Sequence, residues 1–183
     1  MADIDDLNTR SVNGHVQAVV EIPAGSSDKR EYDPVTRSYP IGQRNGMPRH
    51  IKYLPYPANY GFIPGTLAAK SDGGDGDALD VFVLCAALPT GTVLEIEPIG
   101  IIELLDAGER DDKVIALPMD RSLLTMDVDD LNELPTGVRD ILCTWLTNYD
   151  PMDGARVLTV GGKKEALLAI ERAKTGSLPD QPK

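Results

Sequence analysis

Apolar and polar positions alternate with a period of two near the start of the chain. Val16, Ala18 and Val20 interleave with Gln17, Val19 and Glu21, which predicts a strand that ends at Pro23. Short apolar runs at residues 81–85, 93–102, 114–117 and 157–160 predict further strands. Residues 33–50, rich in glycine, proline and basic side chains, predict a hairpin or a long loop. Residues 51–66, with prolines among tyrosines, predict a shaped loop rather than a helix. The period changes late in the chain. Pro135 opens a helix whose Val138, Ile141, Leu142, Trp145 and Leu146 recur at helical spacing as a buried stripe. Gly161-Gly162 precedes a second helix, over residues 163–174, with Ala166, Leu167, Ile170 and Ala173 on one face. Strands first and helices last is the α+β order, with the helices laid on one side of a curled sheet or small barrel.

These elements account for one domain over residues 14–176, with a loose polar arm at 1–13 and a tail at 177–183. The 183 residues are 42% hydrophobic and 26% charged, the ordinary balance of a globular protein. The formal net charge of -11 argues against a nucleic-acid or anionic-membrane surface, although a bound metal and a few local cations can reverse the local potential. No apolar run reaches the ~18 residues of a membrane span. The acidic start Met1-Ala2-Asp3-Ile4-Asp5-Asp6 has no signal-peptide pattern, and a cytoplasmic location is expected. Cys85 and Cys143, far apart in apolar surroundings, read as small buried hydrophobes.

Candidate chemistry concentrates in Asp75-Gly76-Asp77-Ala78-Leu79-Asp80, directly before the apolar run Val81-Phe82-Val83-Leu84. Three carboxylates this close repel by a few kcal/mol unless a cation sits among them, and Mg²⁺ or Ca²⁺ prefers such oxygen ligands. A calcium-binding EF-hand does not fit. Counting from Asp75 places Leu79 and Asp80 at the fifth and sixth positions, and counting from Asp72 places Val83 at the twelfth. A second acidic turn, Asp106 to Lys113, also feeds an apolar strand, Val114-Ile115-Ala116. Two such turns facing each other across one barrel mouth would gather enough carboxylates for two or more Mg²⁺ ions, an arrangement suited to phosphate chemistry.

The proline-stiffened loop Tyr53 to Gly65 fixes tyrosines whose phenols can donate to phosphate oxygens. Lys29, Arg49 and Lys113 can clamp an anion. There is no P-loop and no GxGxxG after a strand, and His15 and His50 are too isolated for a zinc site or a serine triad.

At these residues the chain resembles the family I soluble inorganic pyrophosphatases. The likeness covers roughly residues 15–175 and rests on four ordered blocks. They are Val20-Glu21-Ile22-Pro23-Ala24, Tyr56-Pro57-Ala58-Asn59-Tyr60-Gly61, Asp75-Gly76-Asp77-x-x-Asp80 and Asp106-x-x-x-x-Asp111-x-Lys113. The resemblance implies an OB-like five-stranded closed barrel with flanking α-helices. It also implies Mg²⁺-dependent hydrolysis of pyrophosphate to two phosphates, with Mn²⁺ or other divalent metals as substitutes, and a homohexamer. By motif, Asp75, Asp80, Asp106 and Asp111 resemble metal ligands, with Glu21 and Glu31 as outer or additional metal-site acids. Asp77 resembles the general base. Lys29, Arg49, Tyr60, Lys113 and Tyr149 resemble phosphate-binding groups, with Tyr56 behind them.

The chain departs from the family pattern at Ala78, which carries no chemistry, and after Tyr149, where Asp150 stands in place of the usual lysine. Arg156, close by in sequence, is the expected substitute for that lysine. The rival readings are a hydrolase of another small phosphoanhydride and an OB-like binding module with incidental calcium sites. The net charge and the second acidic turn disfavour the binding module.

Overall fold

The protein is described from a computed structural model, over residues 4–150 and 154–174. Nine strands are β1 Val16–Ile22, β2 Gln43–Arg44, β3 Met47–Pro48, β4 Asn59–Phe62, β5 Asp80–Val83, β6 Val93–Asp106, β7 Glu109–Arg110, β8 Lys113–Pro118 and β9 Arg156–Gly162. Two α-helices are α1 Thr136–Asn148 and α2 Lys163–Ala173. Neighbouring strands pair in the order β1-β4-β5-β8-β6, and β6 returns to β1, so five strands form a closed ring. The expected OB-like barrel is therefore present. Only β5 and β8 among the ring pairs are parallel.

Closure depends on β6. Its first residues pair with β1, its middle with β8 and its last third with β9. A straight strand cannot serve partners in such different directions. The register shift between Pro98 and Gly100 supplies the bend, as a bulge increases local twist. The strand predicted at 93–102 thus runs four residues further, to the acidic turn.

Alternate side chains of the ring enter two cores. Phe82, Ile102 and Ile115 pack with Leu142, Trp145 and Leu146 of α1. Val81, Ile101 and Val114 pack with Ala166 and Ile170 of α2. The helices therefore join different cores, where one shared side was expected. Strands buried on both faces read as continuous apolar runs, and even β1, which alternates in sequence, has Val19 and Glu21 buried. In α1 the expected stripe is narrower, because Ile141 is 61% exposed.

Two further expectations meet different structure. Residues 51–66 do contain a shaped loop, but its Asn59–Phe62 segment is β4, a ring strand. Asn59 is fully buried; its Oδ1 accepts from Ala24 and Leu88 backbone N–H groups, and its amide donates to the carbonyls of Val83 and Ala86. The N-terminal arm is docked from Thr9, which is buried and donates to the Gly65 carbonyl, while its own carbonyl accepts from Gln17 N. Backbone groups beside β1 need partners, and the arm supplies them. Its first three residues and the tail lie outside the described residues.

The register of β1 also shifts, between Val20 and Ile22, so Glu21 is a bulged residue opposite β4. Gly61 permits this close approach: a Cβ there would stand 1.8 Å from the Val19 carbonyl oxygen. We expect Gly61→Ala to destabilise the fold by about 3 kcal/mol or more in urea unfolding, because neither strand backbone can retreat. Gly137→Ala, where a Cβ meets nothing within 4 Å, should instead stabilise by roughly 0.5–1 kcal/mol.

Candidate active site

Ring topology brings the acidic residues to one mouth of the barrel. Parallel pairing sets Asp80, the first residue of β5, beside Lys113, the first of β8. Antiparallel pairing of β6 with β8 carries the end of β6, and hence Asp106, to the same mouth. The turn after it runs through Ala107 and Gly108, both at positive φ, and returns Asp111 toward Asp80. Asp75 and Asp77 sit in the glycine-rich loop leading into β5. The bulge in β1 makes Glu21 a buried residue of this mouth although it lies on a strand edge.

A cleft of about 590 Å³ opens here. Ten of the residues expected at a site line it: Glu21, Lys29, Glu31, Arg49, Tyr60, Asp75, Asp77, Asp80, Asp106 and Asp111. The other three stand behind its wall. Lys113 is 3% exposed and its ammonium lies between Asp80 Oδ2, at 2.6 Å, and Asp111 Oδ1. Tyr56 lies in an aromatic row with Tyr60, 5.2 Å between ring centroids, and Trp145, 4.7 Å. Tyr149 stacks on the far face of that row, 4.7 Å from Trp145 with the rings 10° from parallel. The indole N–H donates to the Leu54 carbonyl at 2.9 Å, which ties α1 to the tyrosine loop.

Charges in the cleft are strongly conditioned by burial. Burial alone would lower the pKa of Lys113, but Asp80 and Asp111 outweigh it and hold the ammonium above the usual lysine range. Burial pushes the Asp111 carboxyl up, against the opposing pull of Lys113. Glu21 is pushed up to about 8, mainly by burial, although its carboxylate accepts from Tyr32 N at 2.6 Å. Partial burial, with Asp75 and Asp80 nearby, raises Asp77. Burial keeps the phenols of Tyr60, Tyr56 and Tyr149 neutral. Tyr60 donates to Asp80 Oδ2 at 2.5 Å.

In the same lining, Lys29 and Arg49 approach Glu31 at 3.8 and 3.7 Å. Their backbones interlock: Lys29 N donates to Arg49 O, Gly42 N to Lys29 O, and Arg49 N to Gly42 O. The cleft also has Arg30, Tyr32, Arg44, Phe62, Ala78 and Ala107 in its lining, which sequence reasoning did not single out. Arg44 carried a usable signal. It precedes Asn45-Gly46, the dipeptide of a tight hairpin turn, and β2 and β3 form that hairpin. Arg156 is not in the lining; it lies exposed on β9, opposite Leu105.

The donor set fits a hard divalent cation. The acids offer only oxygen, and Asp106 Oδ1 is buried with no hydrogen-bond partner among the described residues. Among the described residues, no three of the Asp, Glu, His and Cys side chains already stand close enough to hold an ion unaided. Lys113 is the cation that compensates Asp80 and Asp111 in this arrangement.

Comparison with known proteins gives a consistent result. The family described as inorganic pyrophosphatase matches residues 18–176. The inorganic pyrophosphatase of Sulfolobus acidocaldarius is 33% identical over 172 residues, which cover 88% of this chain and 92% of that protein. The crystal structure of inorganic pyrophosphatase from Thermus thermophilus superposes with a TM-score of 0.81 at 28% identity, covering 94% of this chain and 97% of that one. That of an inorganic pyrophosphatase from Neisseria gonorrhoeae gives 0.78 at 30% identity, covering 94% and 96%.

Glu21 provides a test of the site's electrostatics. In the folded chain it holds its proton up to about pH 8, whereas it ionises near 4.5 when unfolded. Over that window the folded state binds the extra proton, so stability must fall as pH rises, by up to about 1.4 kcal/mol per unit. In chelator-treated protein, Glu21→Gln should flatten the decline of unfolding free energy between pH 5 and pH 8 relative to the parent, while keeping an acceptor for Tyr32 N.

Proposed function

The chain belongs to the inorganic pyrophosphatase family and is a hydrolase, and on that premise we propose that the cleft hydrolyses pyrophosphate to two orthophosphates with Mg²⁺, using Asp77 as general base. The observation that carries this reading is one cleft lined by both carboxylates and cations. Asp75, Asp80, Asp106 and Asp111 line it together with Lys29 and Arg49. A tetra-anion alone would be repelled by the carboxylates, and a divalent cation alone would gain nothing from the cations. Their complex matches both.

Asp75, Asp80, Asp106 and Asp111 would hold the cations, with Glu21 and Glu31 at the margin. When bound, Mg²⁺ neutralises the phosphoryl oxygens and acidifies water; Mn²⁺ can substitute. Lys29 and Arg49 bind the phosphoryl groups and stabilise the charge left on the departing phosphate as the bridging P–O bond breaks. Asp77 accepts the proton of the attacking water. Its raised pKa favours proton acceptance, and its exposed position leaves it accessible. Tyr60, neutral and already a donor to Asp80, can turn its hydrogen to a phosphoryl oxygen. Lys113 holds Asp80 and Asp111 in place and adds positive charge beneath the substrate. Tyr56 and Tyr149 hold the wall on which Tyr60 rests. The reading includes residues 14–176 as the catalytic unit and, by family resemblance, a homohexamer acting in the cytoplasm. Among the described residues no helix is long and apolar enough to cross a membrane.

Phosphate release from pyrophosphate with Mg²⁺, set against ATP and short polyphosphates, tests the function. We expect turnover of pyrophosphate in preference to the others; no turnover with either Mg²⁺ or Mn²⁺ would refute it. Asp77→Asn should lower kcat by about 10²–10⁴-fold with the thermal midpoint unchanged. A near-normal kcat would remove Asp77 from the role of base.

A further inference from the structure

Asp150 places a negative charge beside Tyr149, at the position where the resemblance anticipates a cation. The structure pairs it with a cation that lines the cleft. Arg44 Nη1 donates to Asp150 Oδ2 at 2.7 Å, joining residues 106 positions apart in the chain. Asp150 is firmly mounted, because it follows Tyr149, whose ring is stacked on Trp145 at the end of α1. Arg44 is not firmly mounted by its own element. It belongs to the two-residue strand β2, and all four residues of the β2–β3 hairpin are exposed.

The same hairpin leads directly into Arg49, and Gly42 at its base is hydrogen-bonded to both Lys29 and Arg49. Lys29, Arg44 and Arg49 are therefore displayed on one small backbone unit, and all three line the cleft that faces Asp75, Asp80 and Asp106. A guanidinium carries five N–H donors on a planar fork, so one edge can hold a carboxylate while another holds a phosphoryl oxygen. Arg156, on β9 and outside the cleft lining, has no such position.

We propose that Arg44 is a substrate-binding residue of this chain, contacting a phosphoryl group of pyrophosphate from the hairpin side of the cleft, and that Asp150 is the positioning residue that holds its guanidinium there. The inference rests on the function proposed above and refines its binding site. Asp150 thus contributes through the arginine it holds, and a hairpin that is otherwise exposed is fastened to α1 at the point where substrate enters.

The test measures steady-state pyrophosphate hydrolysis and, independently, calorimetric binding of imidodiphosphate with Mg²⁺, for the parent, Arg44→Ala, Arg44→Lys, Asp150→Asn and the double variant Arg44→Ala with Asp150→Lys. Arg44→Ala should raise KM by about 10- to 100-fold, the scale of one charge-assisted hydrogen bond, with kcat within about threefold. The affinity for imidodiphosphate should fall by the same factor. Arg44→Lys, which keeps the charge, should fall between parent and Arg44→Ala. Asp150→Asn should raise KM less than Arg44→Ala does, since the guanidinium is still present. The double variant, with its cation returned at the position that contacts Arg44, should recover most of the lost affinity; a merely structural salt bridge would not be rescued by that exchange. Arg156→Ala should leave both parameters unchanged. KM and imidodiphosphate affinity within twofold of the parent for Arg44→Ala would overturn the inference while active parent protein left the function standing. If the parent itself failed to hydrolyse pyrophosphate, the function would fall, and the binding measurements would still decide whether Arg44 holds a diphosphate.

Discussion

Carboxylates gathered at one end of a barrel repel one another, and a buried ammonium is the interaction that allows this chain to gather them. Lys113 lies almost wholly out of solvent between Asp80 and Asp111. An isolated buried ammonium would lose its proton, and isolated buried carboxylates would gain one. Placed together, each offsets part of the desolvation penalty that the others carry. The parallel register of β5 and β8 makes the arrangement possible, because only that pairing sets Asp80 and Lys113 side by side at the starts of neighbouring strands. Much of the rest follows from this point. β6 must extend past β8 to deliver Asp106, and the turn beyond must fold back to deliver Asp111.

A second constraint comes from the aromatic row. Phe82, Tyr60, Tyr56, Trp145 and Tyr149 form a continuous series of ring contacts from the ring strands to the end of α1. Rings have few rotatable bonds, so a packed row fixes the phenol of Tyr60 against Asp80 at small entropic cost. The helix that flanks the barrel thus sets the position of a cleft residue. Lys29 and Arg49 are held differently, on short strands and loops knitted by backbone hydrogen bonds.

How much of this was legible in sequence depends on the kind of signal each part emits. Alternation marked β1, apolar runs marked β5, β6 and β8 because burial on both faces leaves little room for polar residues, and the acidic turns were legible because like charges so close together need an explanation. The remaining ring strand, β4, was not, since Pro57 and Gly61 beside Tyr60 read as turn chemistry and the strand spans only Asn59–Phe62. Its glycine is there for contact with the bulge in β1, a tertiary reason invisible in local pattern. Ile141 satisfied the helical period yet faces solvent, because the period defines a stripe but not its width. Arg44 was passed over because its meaning depends on Asp150, and no local rule connects residues so far apart in the chain.

Closure of the ring has a consequence for how the protein acquires its activity in time. The ring shuts only when residues 93–96 of β6 meet residues 16–19 of β1, a contact between distant parts of the chain that must await costly loop closure. The acids of the cleft come from β1, from the loop before β5 and from the far end of β6. Until that seam shuts, β1, which carries Glu21, reaches the other acids through β4 and β5 alone. Closing the seam is therefore the step that locks the strand of Glu21 against the strand that carries Asp106.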